Sequence, residues 1–374
     1  MENTRAMQKL LIPIFLIGAL VLAGCASNTP PTATTPPSSS ATTTPAKDGL
    51  AADLSGEGST FVGPIMEKWR VAFGNANPGV HISYLADGSG KGRASVIGSR
   101  VDFAGSDAPL SAGEAGNMTD ALHIPVVAGG VLVAYNVPDL GKTPLRLDGA
   151  AIASIFLGTI TKWNDPAIAA INPGVTLPNK DITVVVRSDG SGTTATFTDY
   201  LNKVDARWPK ANGGPGVGAT VKWPAASTTA ANGNPGVGST IQTTTYSVGY
   251  IGSDWADISA LQQAVVKNTA GEFVEGTPEA ASAALDAALK ANAFDADLKG
   301  SATNAGGANS YPITAVSWVI VHQHQSDANK AAALKAFLEY ILHDGQQLST
   351  PNKYAPMPTS LVTKADALIA KIGS

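Results

Sequence analysis

The chain has 374 residues, a formal net charge of −4, only 14% charged residues and a single cysteine, Cys25. That balance excludes the broad basic surface a nucleic-acid partner would need, and one thiol excludes an internal disulfide, so the fold must rest on its hydrophobic core. Any anion-binding role would have to work through local dipoles and hydrogen bonds, because no positive field surrounds the molecule.

The first 25 residues read as a targeting segment. Arg5 and Lys9 precede an apolar stretch, residues 10–23, that is short for a membrane span and ends in Leu22-Ala23-Gly24-Cys25. This resembles the bacterial lipoprotein signal, which implies cleavage before Cys25, lipidation of Cys25 and attachment to a membrane through that lipid. Residues 26–49 are mostly Thr, Pro, Ser and Ala. Such a composition buries too little surface to offset its ordering entropy and predicts a disordered tether. From Leu50 onward the chain is longer than one core usually supports, which predicts two domains.

Gly56-Glu57-Gly58-Ser59-Thr60-Phe61 reads as a glycine- and hydroxyl-rich turn entering a helix. Ile65, Trp69 and Phe73 then recur every four residues, and Pro64 suits a first helical turn. Residues 81–85 alternate like a strand and run into Ala86-Asp87-Gly88-Ser89-Gly90-Lys91-Gly92, with a helix predicted from near Arg93. These glycines miss both the Walker and the dinucleotide spacing, so no nucleotide site is expected. Residues 101–105 read as a short strand that Ser106-Asp107-Ala108-Pro109 brings to an end.

The β-branched run 182–186 leads into Arg187-Ser188-Asp189-Gly190-Ser191-Gly192-Thr193-Thr194 and then a helix through residues 197–201. Two readings stand here. One is a strand-to-helix turn capped by Ser191 or Thr193. The other is an oxyanion cradle, in which free helix N–H groups, hydroxyls and the two-pronged Arg187 converge while Asp189 holds the guanidinium. Asp107 likewise reads either as a helix cap or as an acceptor facing an anion that carries a proton. Further on, Ala211-Asn212-Gly213-Gly214-Pro215-Gly216-Val217-Gly218 recurs almost unchanged at residues 231–238; the second copy is predicted to start a helix at Ser239.

In this order and at these separations, the segments resemble the periplasmic phosphate-binding proteins of high-affinity phosphate ABC importers, from about Leu54 to the C-terminus. The specific part is the pairing of Ser106-Asp107-Ala108-Pro109-Leu110 with Arg187-Ser188-Asp189-Gly190-Ser191-Gly192-Thr193. Gly129-Gly130-Val131, Phe156-Leu157-Gly158-Thr159-Ile160-Thr161-Lys162-Trp163, Val221-Lys222-Trp223-Pro224 and Tyr311-Pro312-Ile313-Thr314 add to it. The resemblance implies a type II periplasmic binding protein-like fold: two α/β domains with mixed sheets joined by a two-segment hinge, ligand in the interdomain cleft. Domain I would comprise residues 50–135 plus 312–374 and domain II residues 136–311. The chain would cross near Ala134-Tyr135-Asn136 and return near Pro312-Ile313-Thr314, with C-terminal helices at 331–342 and 361–372.

Carried over by position, the phosphate ligands fall on the hydroxyls of Thr60 and Ser89, the Phe61 backbone N–H and the Asp107 carboxylate. Arg187, Ser191, Gly192 and Thr193 complete the cage, and Asp189 pairs with the arginine. Lys91 departs from the family pattern, standing where residues are more often small and neutral. The resemblance also implies a monomer, exported and held by lipid on the outer face of the cytoplasmic membrane, in the periplasm or at the cell surface. It would deliver inorganic phosphate to the membrane permease of an ABC importer, with no cofactor and no metal.

Asp107 supports that ligand on physical grounds. Phosphate keeps at least one proton at neutral pH and sulfate keeps none, so a buried acceptor-only carboxylate meets a P–OH productively and a sulfate oxygen with no hydrogen between them. Two buried charged acceptors left unbridged cost on the order of 2–5 kcal/mol. No enzyme is expected: no serine lies in a Gly-x-Ser-x-Gly elbow, and His322 and His324 read as a surface pair rather than metal ligands. A phosphate-handling enzyme and an adhesin or signalling protein on the same fold are the alternatives.

Overall fold

In the computed structural model, which describes residues 49–373, strand and helix alternate from the start. The order is β1 (Ala52–Gly58), α1 (Gly63–Ala76), β2 (Val80–Ala86), α2 (Ser89–Ile97), β3 (Phe103–Ser106), α3 (Ala112–Gly116) and the long β4 (Ala121–Asn136). Then follow β5 (Arg146–Leu147), α4 (Gly149–Phe156), α5 (Pro166–Ile171), β6 (Thr183–Arg187), α6 (Gly192–Val204), β7 (Thr228–Ala231), α7 (Gly233–Thr243) and β8 (Ser247–Gly252). After α8 (Ser253–Ile258) come β9 (Gln262–Gln263), β10 (Val265–Lys267), β11 (Phe273–Val274) and α9 (Pro278–Lys290). β12 (Thr314–His322), α10 (Ala328–Leu342) and α11 (Thr359–Ile369) close the chain. The targeting segment with Cys25, and the tether up to residue 48, lie outside the described residues. No helix among the described residues is long and apolar enough to cross a membrane.

The main sheet has nine strands in the order β2-β1-β3-β12-β4-β8-β6-β7, with β9 pairing to β4 off that path. β1 runs parallel to β2 and β3, and β6 parallel to β8 and β7, whereas β12 and β4 pair antiparallel. Parallel neighbours need crossovers, and α1, α2, α6 and α7 supply them. The sheet is therefore mixed and the fold α/β, as expected. Its core includes the buried α1 face of Ile65, Met66, Trp69 and Phe73, with Pro64 in the first turn.

β4 serves both halves of the sheet. β12 pairs with it as far as Gly130, and β8 takes over at Val131. The change of partner falls a few residues ahead of the expected crossing at Ala134-Tyr135-Asn136, and Val131 N–H donates to Ile313 O (2.8 Å) within the expected return segment. By their contacts the described residues belong to one compact unit, Ala46–Ser374.

Three local expectations are corrected. Gly56 and Gly58 lie inside β1, hydrogen-bonded on both sides by β2 and β3, so the turn begins only at Ser59. α2 starts at Ser89 rather than near Arg93, since Gly88 at φ 115° turns the chain directly into the helix. α7 starts at Gly233 rather than Ser239: Pro235 falls in the first turn, where its missing N–H has no intrahelical partner to lose.

Segments 156–163 and 221–224 meet in one aromatic cluster. The Phe197 ring of α6 stacks on Tyr250 (centroids 4.5 Å apart) and meets Phe156 edge-on at 4.7 Å, with Trp223 at 5.5 Å from Phe156. Each fully buried ring of this kind contributes about 1.5–3 kcal/mol. That packing holds α6, and with it the turn at its N-terminus.

Candidate functional site

The chemistry-bearing residues follow the carboxyl ends of strands: 59–61 after β1, Ser89 after β2, Asp107 after β3, 187–193 at the end of β6, and 232–234 after β7. In an open α/β sheet these ends face the N-termini of the following helices, whose unpaired N–H groups favour anions. α1, α2, α6 and α7 all begin here.

Asp107, 4% exposed, is the acceptor of the cluster. Ser59 Oγ donates to it at 2.7 Å and Ser317 Oγ at 2.6 Å, while Ser89 Oγ stands 3.5 Å from Oδ2 and accepts from Asp107 N–H at 3.3 Å. Burial raises its pKa; the hydroxyls of Ser317 and Ser59 and the charge of Arg187 work against the rise. Asp107 is not a helix cap, since Ser111 caps α3 with a reciprocal bond to Glu114. His123, which burial pushes down to about 4, accepts Leu110 N–H at 3.1 Å and so braces the Asp107 loop as a neutral ring.

Arg187 is the fixed cation. Its Nε and Nη2 donate to Asp189 at 2.7 and 2.5 Å, a bidentate pair whose side chains are 1% and 6% exposed. Burial opposes the Asp189 charge, but the Arg187 bonds and charge prevail and hold its pKa below the ordinary value. Asp189 therefore orients the guanidinium, leaving Nη1 to point toward Thr193 Oγ1 at 3.5 Å. Ser191 is the N-cap of α6, accepting Thr194 N–H at 3.0 Å. The capping reading of this junction therefore holds, and it does not preclude the cradle, since a capping Ser191 keeps its own O–H free to donate.

The two halves of the cluster approach closely. A Cβ on Gly192 would lie 2.5 Å from Ser89 Oγ and 2.7 Å from Asp107 N, and one on Gly88 would lie 2.5 Å from Asp189 Oδ2. Gly90 N–H donates to Gly190 O at 2.7 Å across this contact. Side chains at these positions would hold the strands apart.

Thr60, Phe61, Ser89, Asp107, Arg187, Asp189, Ser191, Gly192 and Thr193 are thus gathered in one cluster. The Phe61 N–H donates to Ser59 Oγ at 3.0 Å, and Thr60 connects through Asn234 to Thr193. Sequence reasoning missed Ser59, Asn234, Tyr250 and Ser317. Tyr250, held protonated by burial that pushes it up to about 12, shares a 2.7 Å bond with Thr194 and accepts Arg187 N–H. A lone serine within the apolar run 315–321, and the Asn-Pro step of the second repeat, were the available signals. The first repeat contributes Val217 to the rim of a cavity of about 210 Å³ beside Asp107.

Lys91 is exposed and pairs with Asp87 at 2.8 Å. His322 and His324 both face Asp120, at 2.8 and 3.5 Å, and His322 also bonds Val96 O, so His322 is a half-buried tie between elements and only His324 a surface residue. Among the described residues no three His, Cys, Asp or Glu side chains are grouped so as to hold a metal ion.

A family model described as a PBP superfamily domain matches residues 31–344. A high-affinity periplasmic phosphate-binding protein, solved with phosphate at pH 8.5, shares the fold with a TM-score of 0.66 at 24% identity over 84% of this chain and 93% of its own. A Clostridium perfringens protein described as a phosphate ABC transporter substrate-binding protein, solved with phosphate, does so at a TM-score of 0.60 and 19% identity, over 82% of this chain and 100% of its own. Fold and site therefore define a member of the PBP superfamily. The phosphate-binding protein PstS of Xylella fastidiosa is 34% identical over 356 residues, covering 94% of this chain and 95% of that protein. The chain belongs to this PstS family of phosphate-binding proteins, whose members are binding proteins rather than enzymes.

Proposed function

We propose that the chain is an extracytoplasmic receptor that captures inorganic phosphate in this cluster and delivers it to the membrane permease of an ABC importer. The observation that carries the reading is Asp107, a buried acceptor set among hydroxyl donors, helix N-termini and the remaining N–H groups of Arg187. Only an oxyanion that still bears a proton satisfies both kinds of group at once, and phosphate does so at neutral pH. Thr60, Phe61, Ser89, Arg187, Ser191, Gly192 and Thr193 would donate and Asp107 accept. The phosphate named in the relatives supports that ligand. In this reading Cys25 carries lipid, residues 26–49 tether the receptor to the membrane, and the halves that share β4 open and close about 134–136 and 312–314. Calorimetric titration of the purified protein, freed of bound anion by partial unfolding and refolding, tests it. Tight one-to-one phosphate binding with no sulfate heat is expected; no binding of any oxyanion would overturn the reading.

A further inference from the structure

We propose that Asn234 is a positioning residue that makes the hydroxyls of Thr60 and Thr193 obligate donors toward the bound anion. Asn234 is fully buried at the start of α7. Its side-chain oxygen accepts Gly252 N–H at 3.0 Å, and because a backbone N–H can only donate, the amide cannot be flipped. Nδ2 therefore points the other way, donating to Thr60 Oγ1 at 3.0 Å and to Thr193 Oγ1 at 3.3 Å.

A hydroxyl has two acceptor lone pairs and one proton. On Thr60 Oγ1 both lone pairs are filled, by Asn234 Nδ2 and by Asn234 backbone N–H, also at 3.0 Å. On Thr193 Oγ1 they are filled by Asn234 Nδ2 and Arg187 Nη1. What each hydroxyl still has to offer is its O–H. One amide thus sets the polarity of two hydroxyls that belong to strand ends far apart in sequence, at an atom of each that the phosphate reading uses. The same loop braces the arginine pair, since Gly233 N–H donates to Asp189 Oδ1 at 3.0 Å. A carboxylate or an alkyl group at position 234 would release the hydroxyls, and they would then turn toward other acceptors.

This inference rests on the phosphate reading, so parental binding is measured first. Asn234→Leu keeps roughly the same volume and removes both donors; calorimetry is expected to show phosphate affinity lower by about 10-fold or more. In a Thr60→Val background the same substitution is expected to cost at least about threefold less, since one of the two hydroxyls it orients is gone. A purely packing role would predict equal losses in both backgrounds, and that result overturns the assignment, as does parental affinity in Asn234→Leu. Should the leucine variant not fold, Asn234→Ala runs through the same cycle with the same expectations. A parental protein that binds no phosphate overturns the functional reading itself, a distinct outcome.

Discussion

Asp107 and Asp254 are both buried carboxyls, 4% and 5% exposed, yet their surroundings differ in kind. Asp107 accepts from Ser59 and Ser317 and feels Arg187, so burial raises its pKa against opposition. Asp254, at the start of α8, has no well-aligned hydrogen bond to either oxygen among the described residues, although the Tyr354 hydroxyl and the Trp255 N–H lie close to it. The neighbouring Tyr354 hydroxyl donates to Phe61 O instead, at 2.5 Å. Burial pushes Asp254 up to about 8; the nearby Tyr354 hydroxyl and the Trp255 and Asp254 N–H groups oppose the rise only weakly, and the charge of Asp107 adds to it. Depth favours the neutral carboxyl, and pre-placed donors favour the charged, accepting form.

The sharpest way to break that contrast is Arg187→Ala. It strips Asp189 of its charge partner while leaving it buried, and removing one member of a buried pair costs about 3–5 kcal/mol. Denaturant unfolding should show a loss of that size, with phosphate affinity down about 100-fold or more; an unshifted midpoint would mean the pair is not structurally coupled. Next comes Asp254→Asn. The folded state holds the Asp254 proton up to about pH 8, whereas the ordinary carboxyl value is 3.8. Its contribution therefore favours folding at low pH and is lost as pH rises through that window. Stability of the parent should fall relative to the variant by up to about 1.4 kcal/mol per pH unit, on the order of a few kcal/mol in all. Parallel stability–pH curves would contradict the account.

Asp107→Asn addresses the other carboxyl. It should keep much of the phosphate affinity but narrow the phosphate-to-sulfate ratio by about 30-fold or more, because an amide can donate to a sulfate oxygen. A variant that rejects sulfate as firmly as the parent removes Asp107 from selectivity. The smallest effect belongs to Ser317→Ala, which deletes one donor to Asp107. Stability should drop by about 1 kcal/mol. The hydroxyl favours the carboxylate, so its loss raises the Asp107 pKa further and moves the acid limb of phosphate binding to higher pH. An unmoved acid limb would mean that the 2.6 Å contact does not tune the acceptor.

These contrasts also mark what could be read in advance. The junction 187–194 was legible because a strand end, a cap and a helix start are local in sequence, and Ser191 caps α6 as one of the two readings required. The α1 stripe was legible for the same reason, through its 3.6-residue period. Helix starts governed by glycine were misplaced at α2 and α7, where one positive-φ residue decides the entry. Ser317 and Asn234 were harder to read: they reach Asp107 and Thr60 across 210 and 174 residues, and their local signals, a lone serine in an apolar run and an Asn-Pro step, name no partner.

By itself the sequence determined the α/β alternation and the short glycine- and hydroxyl-rich motifs at strand-to-helix junctions, since each depends on neighbours along the chain. Only the tertiary structure decided that these motifs meet, that β4 is shared by the two halves of the sheet, and which way each hydroxyl donates. Those properties depend on which strands pair and which side chains share a buried volume. There hydrogen-bond capacity is finite, and every lone pair has to be matched by a group from elsewhere in the chain.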